Sequence, residues 1–155
     1  MSIPSELRSC PLFYEMYEKE IKKIASRGLV GFYKPGDFVV RDGETGEEIY
    51  VVLEGQLMVR KNTSEGLLDI APLSKGDVFG EMVLLDEKIR SADIVSIEPS
   101  WVLELSYRQI FDVYEKEPRI FGVMLLNLAR LLAKRLRSTN KIIVDLKKHL
   151  TPEQK

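Results

Sequence analysis

Cysteine and histidine are nearly absent from this sequence, with one of each in 155 residues. The single thiol, Cys10, excludes an internal disulfide and fits a reducing, cytoplasmic setting. Its Cys-Pro-Leu-Phe surroundings are apolar, so it reads as a packing residue. The single His149 lies near the tail, which excludes a histidine-rich metal centre, and no Cys/His cluster has zinc-ligand spacing. No apolar run approaches about 18 uninterrupted residues, so no membrane-spanning helix is expected. The N-terminus lacks the charged-then-apolar order of a secretory signal. A net charge of −1 gives no general attraction to nucleic acid or membrane. Phosphate-loop and nucleophile-elbow motifs are missing. The paired carboxylates Glu47-Glu48 and Asp86-Glu87 fall in predicted turns, without the apolar context that tunes a catalytic pKa. Enzymatic activity is therefore not expected.

What is present is an ordinary globular composition, 45% hydrophobic and 30% charged. The length accommodates one sizeable core, so residues 1–155 read as one stand-alone domain. Residues 4–27 carry apolar positions at helical spacing, with Pro11 splitting a short turn from a longer helix and Gly28 as its expected C-cap. Over 28–107 the pattern changes to short strands between glycine turns such as Pro35-Gly36-Asp37, Asp42-Gly43, Glu54-Gly55 and Lys75-Gly76-Asp77. About eight such strands predict a mainly β fold with flanking helices, a double-stranded β-helix or jelly-roll.

Residues 108–150 return to helical spacing, with Pro118 placed to start the longer helix. Leu125, Leu128, Leu132, Ile142 and Leu146 predict a narrow apolar seam, interrupted by Arg135 and Thr139. A second stripe, Phe121, Met124, Leu131 and Leu136, is expected to face the β-roll. The outward face, with Arg130, Lys134, Arg137, Lys141, Lys147 and Lys148, reads as a solvated basic face. The seam suits a homodimer.

The segment Val78 to Ala92 carries the most chemistry. Gly80 permits close backbone approach to a ligand. Glu81 can accept hydrogen bonds from sugar hydroxyls. The turn Met82 to Leu85 offers N–H groups to an anion. Arg90 adds a permanently charged fork matched to phosphate oxygens, beside the hydroxyl of Ser91. This order suits a small ligand bearing both a ribose and a phosphate.

The residues Phe79-Gly80-Glu81-Met82, Leu84-Leu85 and Arg90-Ser91-Ala92 resemble the phosphate-binding cassette of the cyclic nucleotide-binding domain family. The lines Pro35-Gly36-Asp37-Phe38-Val39-Val40 and Tyr50-Val51-Val52-Leu53-Glu54-Gly55 resemble the same family, so the likeness spans nearly the whole chain. Three departures stand out. Val83 replaces a small residue and is expected to crowd the phosphate turn; Ile89 replaces a common proline; the loop Asp86 to Lys88 lacks a glycine. The resemblance implies a site for cAMP or cGMP, with cAMP favoured, built from Gly80, Glu81, Met82, Val83, Arg90, Ser91 and Ala92. It also implies that the long helix crosses the pocket mouth, with Arg135 and Thr139 meeting the ligand and Asn140 reaching the partner's base. No cofactor is implied. The sequence runs out soon after this helix, so direct DNA binding is not expected and the output would pass to an unknown downstream protein. The alternative is a degenerate member that keeps the roll as an interaction or dimerisation scaffold.

Overall fold

The computed structural model describes residues 5–85 and 88–150. Pro4, Asp86, Glu87 and the segment 151–155 lie outside the described residues. The fold is mainly β, with helices at both ends of the chain. Among the described residues eight strands form two antiparallel four-stranded sheets: β1 (Leu29–Tyr33), β8 (Ser100–Ser106), β3 (Glu48–Glu54) and β6 (Val78–Phe79), in that order, face β2 (Phe38–Val40), β7 (Asp93–Ser96), β4 (Gln56–Thr63) and β5 (Gly66–Ser74).

Strand β3 explains the unbroken apolar run Ile49 to Leu53. Successive side chains in a strand point to opposite faces, and both faces of β3 are covered. Tyr50 and Val52 enter the roll, packing with Leu57, Phe79, Ile94 and Val102. Ile49, Val51 and Leu53 face the helices, in a core with Phe13, Ile24, Leu103 and Met124. Cys10 is buried in this second core, and burial pushes its thiol up to about 11, so it packs as the sequence suggested.

The N-terminal region differs from its expected form. Short α1 (Ser5–Arg8) and a 3-10 turn at Pro11–Phe13 come first, and the longer α2 begins only at Glu18 and ends at Ala25. Its C-cap is Ser26, two residues ahead of the expected Gly28. Glu15, at φ 64°, makes the bend between turn and helix.

Helix α3 (Tyr107–Lys116) starts with a capping box, in which the Gln109 N–H donates to Ser106 Oγ and the Ser106 N–H donates to Gln109 Oε1. Helix α4 (Pro118–Leu150) starts at proline, whose missing N–H costs nothing in a first turn. Its first half is clamped to the body. Buried Asn127 donates to the carbonyls of Leu12 and Tyr14, and Arg119 pairs with the buried carboxylate of Glu20. The second half is largely exposed. Among the described residues no helix is long and apolar enough to cross a membrane.

Two stripe assignments on α4 need correction. Leu128, given to the narrow apolar seam, is only 8% exposed and packs in the chain's own core. Leu136, given to the roll-facing stripe, is 62% exposed. The helix turns about 100° per residue, and the clamp at Asn127 sets which face points inward. That choice brings Ile120, Met124 and Leu128 against the body.

Candidate functional site

A cavity of about 780 Å³ opens between the roll, the segment Phe79–Met82, the segment Ile89–Ala92 and the second half of α4. It brings together Gly80, Glu81, Met82, Arg90, Ser91, Ala92, Arg135 and Thr139. Eight of the ten residues chosen from the sequence therefore share one hollow, although they lie up to 59 positions apart, from Gly80 to Thr139. Apolar side chains from the opposite sheet, including Val40, Val59, Ile70 and Leu73, complete its wall.

Local backbone demands shape the site. Strand β6 ends at Phe79, and Gly80 follows at φ +77°, a conformation that L side chains rarely adopt. A Cβ on Gly80 would lie 2.6 Å from the Glu48 carbonyl oxygen and 2.8 Å from Arg90 Nη1. A Cβ on Gly46 would lie 2.3 Å from Arg90 Nη2. Gly46 thus leaves room for the arginine.

Arg90 is 9% exposed and is held from several sides. Its backbone N–H donates to Glu44 O at 2.8 Å, and its carbonyl accepts from the Gly43 N–H at 2.8 Å. Its Nη2 donates to the Glu48 carbonyl at 3.0 Å and to Glu48 Oε2 at 3.1 Å. Its Cζ lies 5.6 Å from the centre of the Tyr50 ring. Glu48 is a residue that sequence reasoning missed. It does not sit in a turn but opens β3, and it carries the counter-charge for the cavity's arginine. Its neighbour Glu47 points elsewhere and pairs with Lys88 at 2.6 Å.

At the other end of the site, Arg135 reaches from α4 to Glu81. Nη1 donates to Glu81 Oε1 at 3.3 Å, and Nη2 donates to the Val78 carbonyl. The two charged groups chosen for phosphate and ribose each have an internal partner of opposite sign. Lys134, on the basic face and exposed as that face predicts, also lines the cavity. Arg130 is likewise exposed, donating to Asn127 and pairing with Glu15.

Two chosen residues do not line the cavity. Asn140 is exposed on α4 and outside it. Val83 is 1% exposed and belongs to the core beneath the 3-10 turn Glu81–Leu85. The expectation that its branched side chain crowds the phosphate position is therefore corrected. A five-residue 3-10 turn rotates its third residue to the inner side, and Val83 plugs the core there. Val83→Ala should lower stability by about 1–3 kcal/mol through lost packing and should not tighten ligand binding. Thermal denaturation with a parallel titration checks both; tighter binding at unchanged stability would contradict the core placement. Ile89, at the usual proline position, is exposed at the cavity edge, bridged to Thr45.

Comparison with known proteins identifies the arrangement. The family described as cyclic nucleotide-binding domain matches residues 30–117, more than half of the chain. The cyclic AMP receptor protein of Thermus thermophilus is 30% identical over 135 residues, 86% of this chain and 61% of that protein. Isozyme 1 of the cGMP-dependent protein kinase of Drosophila melanogaster is 33% identical over 96 residues, 60% of this chain and 12% of the kinase. A crystal structure of a cyclic nucleotide-binding domain from Methylobacillus flagellatus superposes with a TM-score of 0.82 at 23% identity, covering 93% of this chain and 82% of that one. The chain belongs to the cyclic nucleotide-binding domain family. It spans less than two thirds of either curated relative.

Proposed function

We propose that this chain is a cytoplasmic sensor module that binds cAMP in preference to cGMP, catalyses nothing itself, and signals through its C-terminal helices. The observation that carries this reading is the joint cavity, in which Arg90 and Glu81 stand as anion and sugar groups while Arg135 and Thr139 close it from α4. On binding, the cyclic phosphate takes the free edge of the Arg90 guanidinium, and the ribose hydroxyls donate to Glu81. Glu81 then exchanges some of its contact with Arg135 for the ligand, so binding and the position of α4 are linked. Only such a difference in affinity between two helix positions can move the equilibrium. An apolar hollow of about 400 Å³ beside the turn, lined by Leu84, Leu85, Phe111, Tyr114, Phe121 and Leu125, gives α3 and α4 room to close on it. The preference for cAMP draws support from the widely matching relative, a cyclic AMP receptor protein.

Calorimetric titration with cAMP, cGMP and AMP tests the reading. Saturable binding of cAMP, weaker binding of cGMP and little binding of AMP are expected. The ion pairs Arg90–Glu48 and Arg135–Glu81 favour the scaffold reading as the second choice, since both charged groups are satisfied internally. Absence of heat with either cyclic nucleotide would select it.

The second half of α4 supports a homodimer on a corrected seam. Leu125, Ala129, Leu132, Leu136, Thr139, Ile143, Leu146 and Leu150 repeat at alternating steps of four and three, and all are exposed except half-buried Leu132. Ile142 leaves the seam for the cavity wall, and Leu128 for the core. This spacing is the heptad of a two-stranded coiled coil. In a parallel pair Arg135 takes a g position and Asn140 the following e position, the combination that meets across strands. The partner's Asn140 would thereby reach the neighbourhood of Arg135 and the ligand base. Thr139→Ala should weaken cAMP several-fold, about 0.5–1.5 kcal/mol for one neutral hydrogen bond. It should weaken an analogue lacking the exocyclic amine less. Equal losses for both ligands would remove Thr139 from base recognition.

A further inference from the structure

Behind Arg90 the roll contains more negative charge than one arginine balances. Glu48 and Tyr50 alternate along β3 with the helix-facing Ile49 and Val51, and so lie on the roll side with Val52. On the neighbouring strand Glu104 pairs with Tyr50 and Val102 pairs with Val52, which puts Glu104 on the same side, diagonal to Glu48. Tyr33, on β1, packs partly buried against this cluster. Two carboxylates, two phenols and one guanidinium thus face one another along the roll side of β3 and β8.

We propose that Glu48 and Glu104 make cyclic nucleotide binding proton-linked: when the phosphate engages Arg90, the pair takes up a proton from solvent, and affinity rises as pH falls. This rests on the cyclic nucleotide reading above. The physical reason is charge counting in a partly buried place. Without ligand one guanidinium faces two carboxylates. The bound phosphate adds a third negative group on the same guanidinium, and repulsion among like charges that share a site is relieved when one takes a proton.

Glu104 is the group suited to take it. Burial already holds its carboxyl above the ordinary range, Glu48 pushes it further, and Arg90 alone opposes them. Two phenols face it as well. Burial, together with Glu104, raises both phenols above their ordinary values, so Tyr33 and Tyr50 remain neutral. Of the other cations near the site, Arg135 pairs with Glu81 and Lys88 with Glu47. A carboxyl whose pKa is raised further by ligand favours the complex fully below its free-state value. That advantage is lost as pH rises through its value in the complex.

The test uses the full chain and cAMP itself. Calorimetry at about pH 5.5 and about pH 8, each in two buffers of different ionisation heat, reads affinity and proton uptake together. The expected result is a several-fold tighter complex at the lower pH, with a fraction of a proton taken up per ligand. Glu104→Gln should bind at the higher pH about as tightly as the unchanged protein does at the lower, with the pH slope gone. Glu48→Gln should flatten the slope as well. The buffer comparison on the unchanged protein decides the matter even if a variant fails to fold. Binding without pH dependence or proton uptake overturns the linkage and leaves the cyclic nucleotide reading standing. A slope that persists in Glu104→Gln overturns the assignment to Glu104. Absence of binding at both pH values overturns the cyclic nucleotide reading and the linkage with it.

Discussion

Arg90→Leu is expected to cut affinity for cyclic nucleotide tenfold or more while the roll still folds. The guanidinium is the cation at the inner end of the cavity, held by Glu48 and by the space that Gly46 and Gly80 leave. Leucine fills a similar volume but leaves the phosphate facing a partly buried wall with no charged donor. Hydrogen bonds to charged groups contribute about 1.5–3 kcal/mol, which sets the tenfold minimum. The same change strands the Glu48 carboxylate, which is 32% exposed and can turn toward water, so the cost to folding should be modest. The double variant Arg90→Leu with Glu48→Gln removes that stranded charge and separates binding loss from misfolding. Titration of both variants, with thermal denaturation alongside, checks the result. Unchanged affinity in Arg90→Leu would remove this arginine from the phosphate site.

Leu136→Lys is expected to convert a dimer into a monomer without harming the fold. Leu136 stands 62% exposed, so lysine there meets water in the isolated chain. In a parallel pair two copies of position 136 face each other at one layer of the seam. Losing two buried leucines forfeits about 3–6 kcal/mol, and two ammonium groups at one layer add repulsion. Dimerisation should weaken by a hundredfold or more in sedimentation equilibrium. Cyclic nucleotide binding should weaken with it, because the partner's Asn140 is withdrawn. An unchanged protein that sediments as a monomer at high concentration would refute the seam. A monomer that still binds cAMP tightly would refute the role of Asn140.

Much of the fold was legible because its signals are local. Glycine turns at regular intervals, alternating strands and the Pro118 start each depend on a few neighbouring residues. The cassette from Gly80 to Ala92 was legible for the same reason, since its glycine, carboxylate and arginine lie within one short stretch. Glu48 was not, because its meaning comes from a partner 42 positions away. In isolation it is half of an acidic pair in a predicted turn. Val83 misled for a related reason: a residue type unusual for its position invites a ligand-side explanation, whereas the 3-10 turn points it inward.

The sequence by itself determined the element types and the charged groups that the site would use. These follow from side-chain period, turn chemistry and residue charge. The tertiary structure alone decided which face of α4 turns inward, because the leucine and isoleucine positions on that helix support two overlapping stripes. The clamp of Asn127 on the carbonyls of Leu12 and Tyr14 chooses between them. It sends Leu128 to the core and frees the heptad row through Leu136, Ile143 and Leu150. Tertiary structure likewise placed Glu48 and Glu104 behind Arg90, since only the register of β3 against β8 brings these distant carboxylates to one guanidinium.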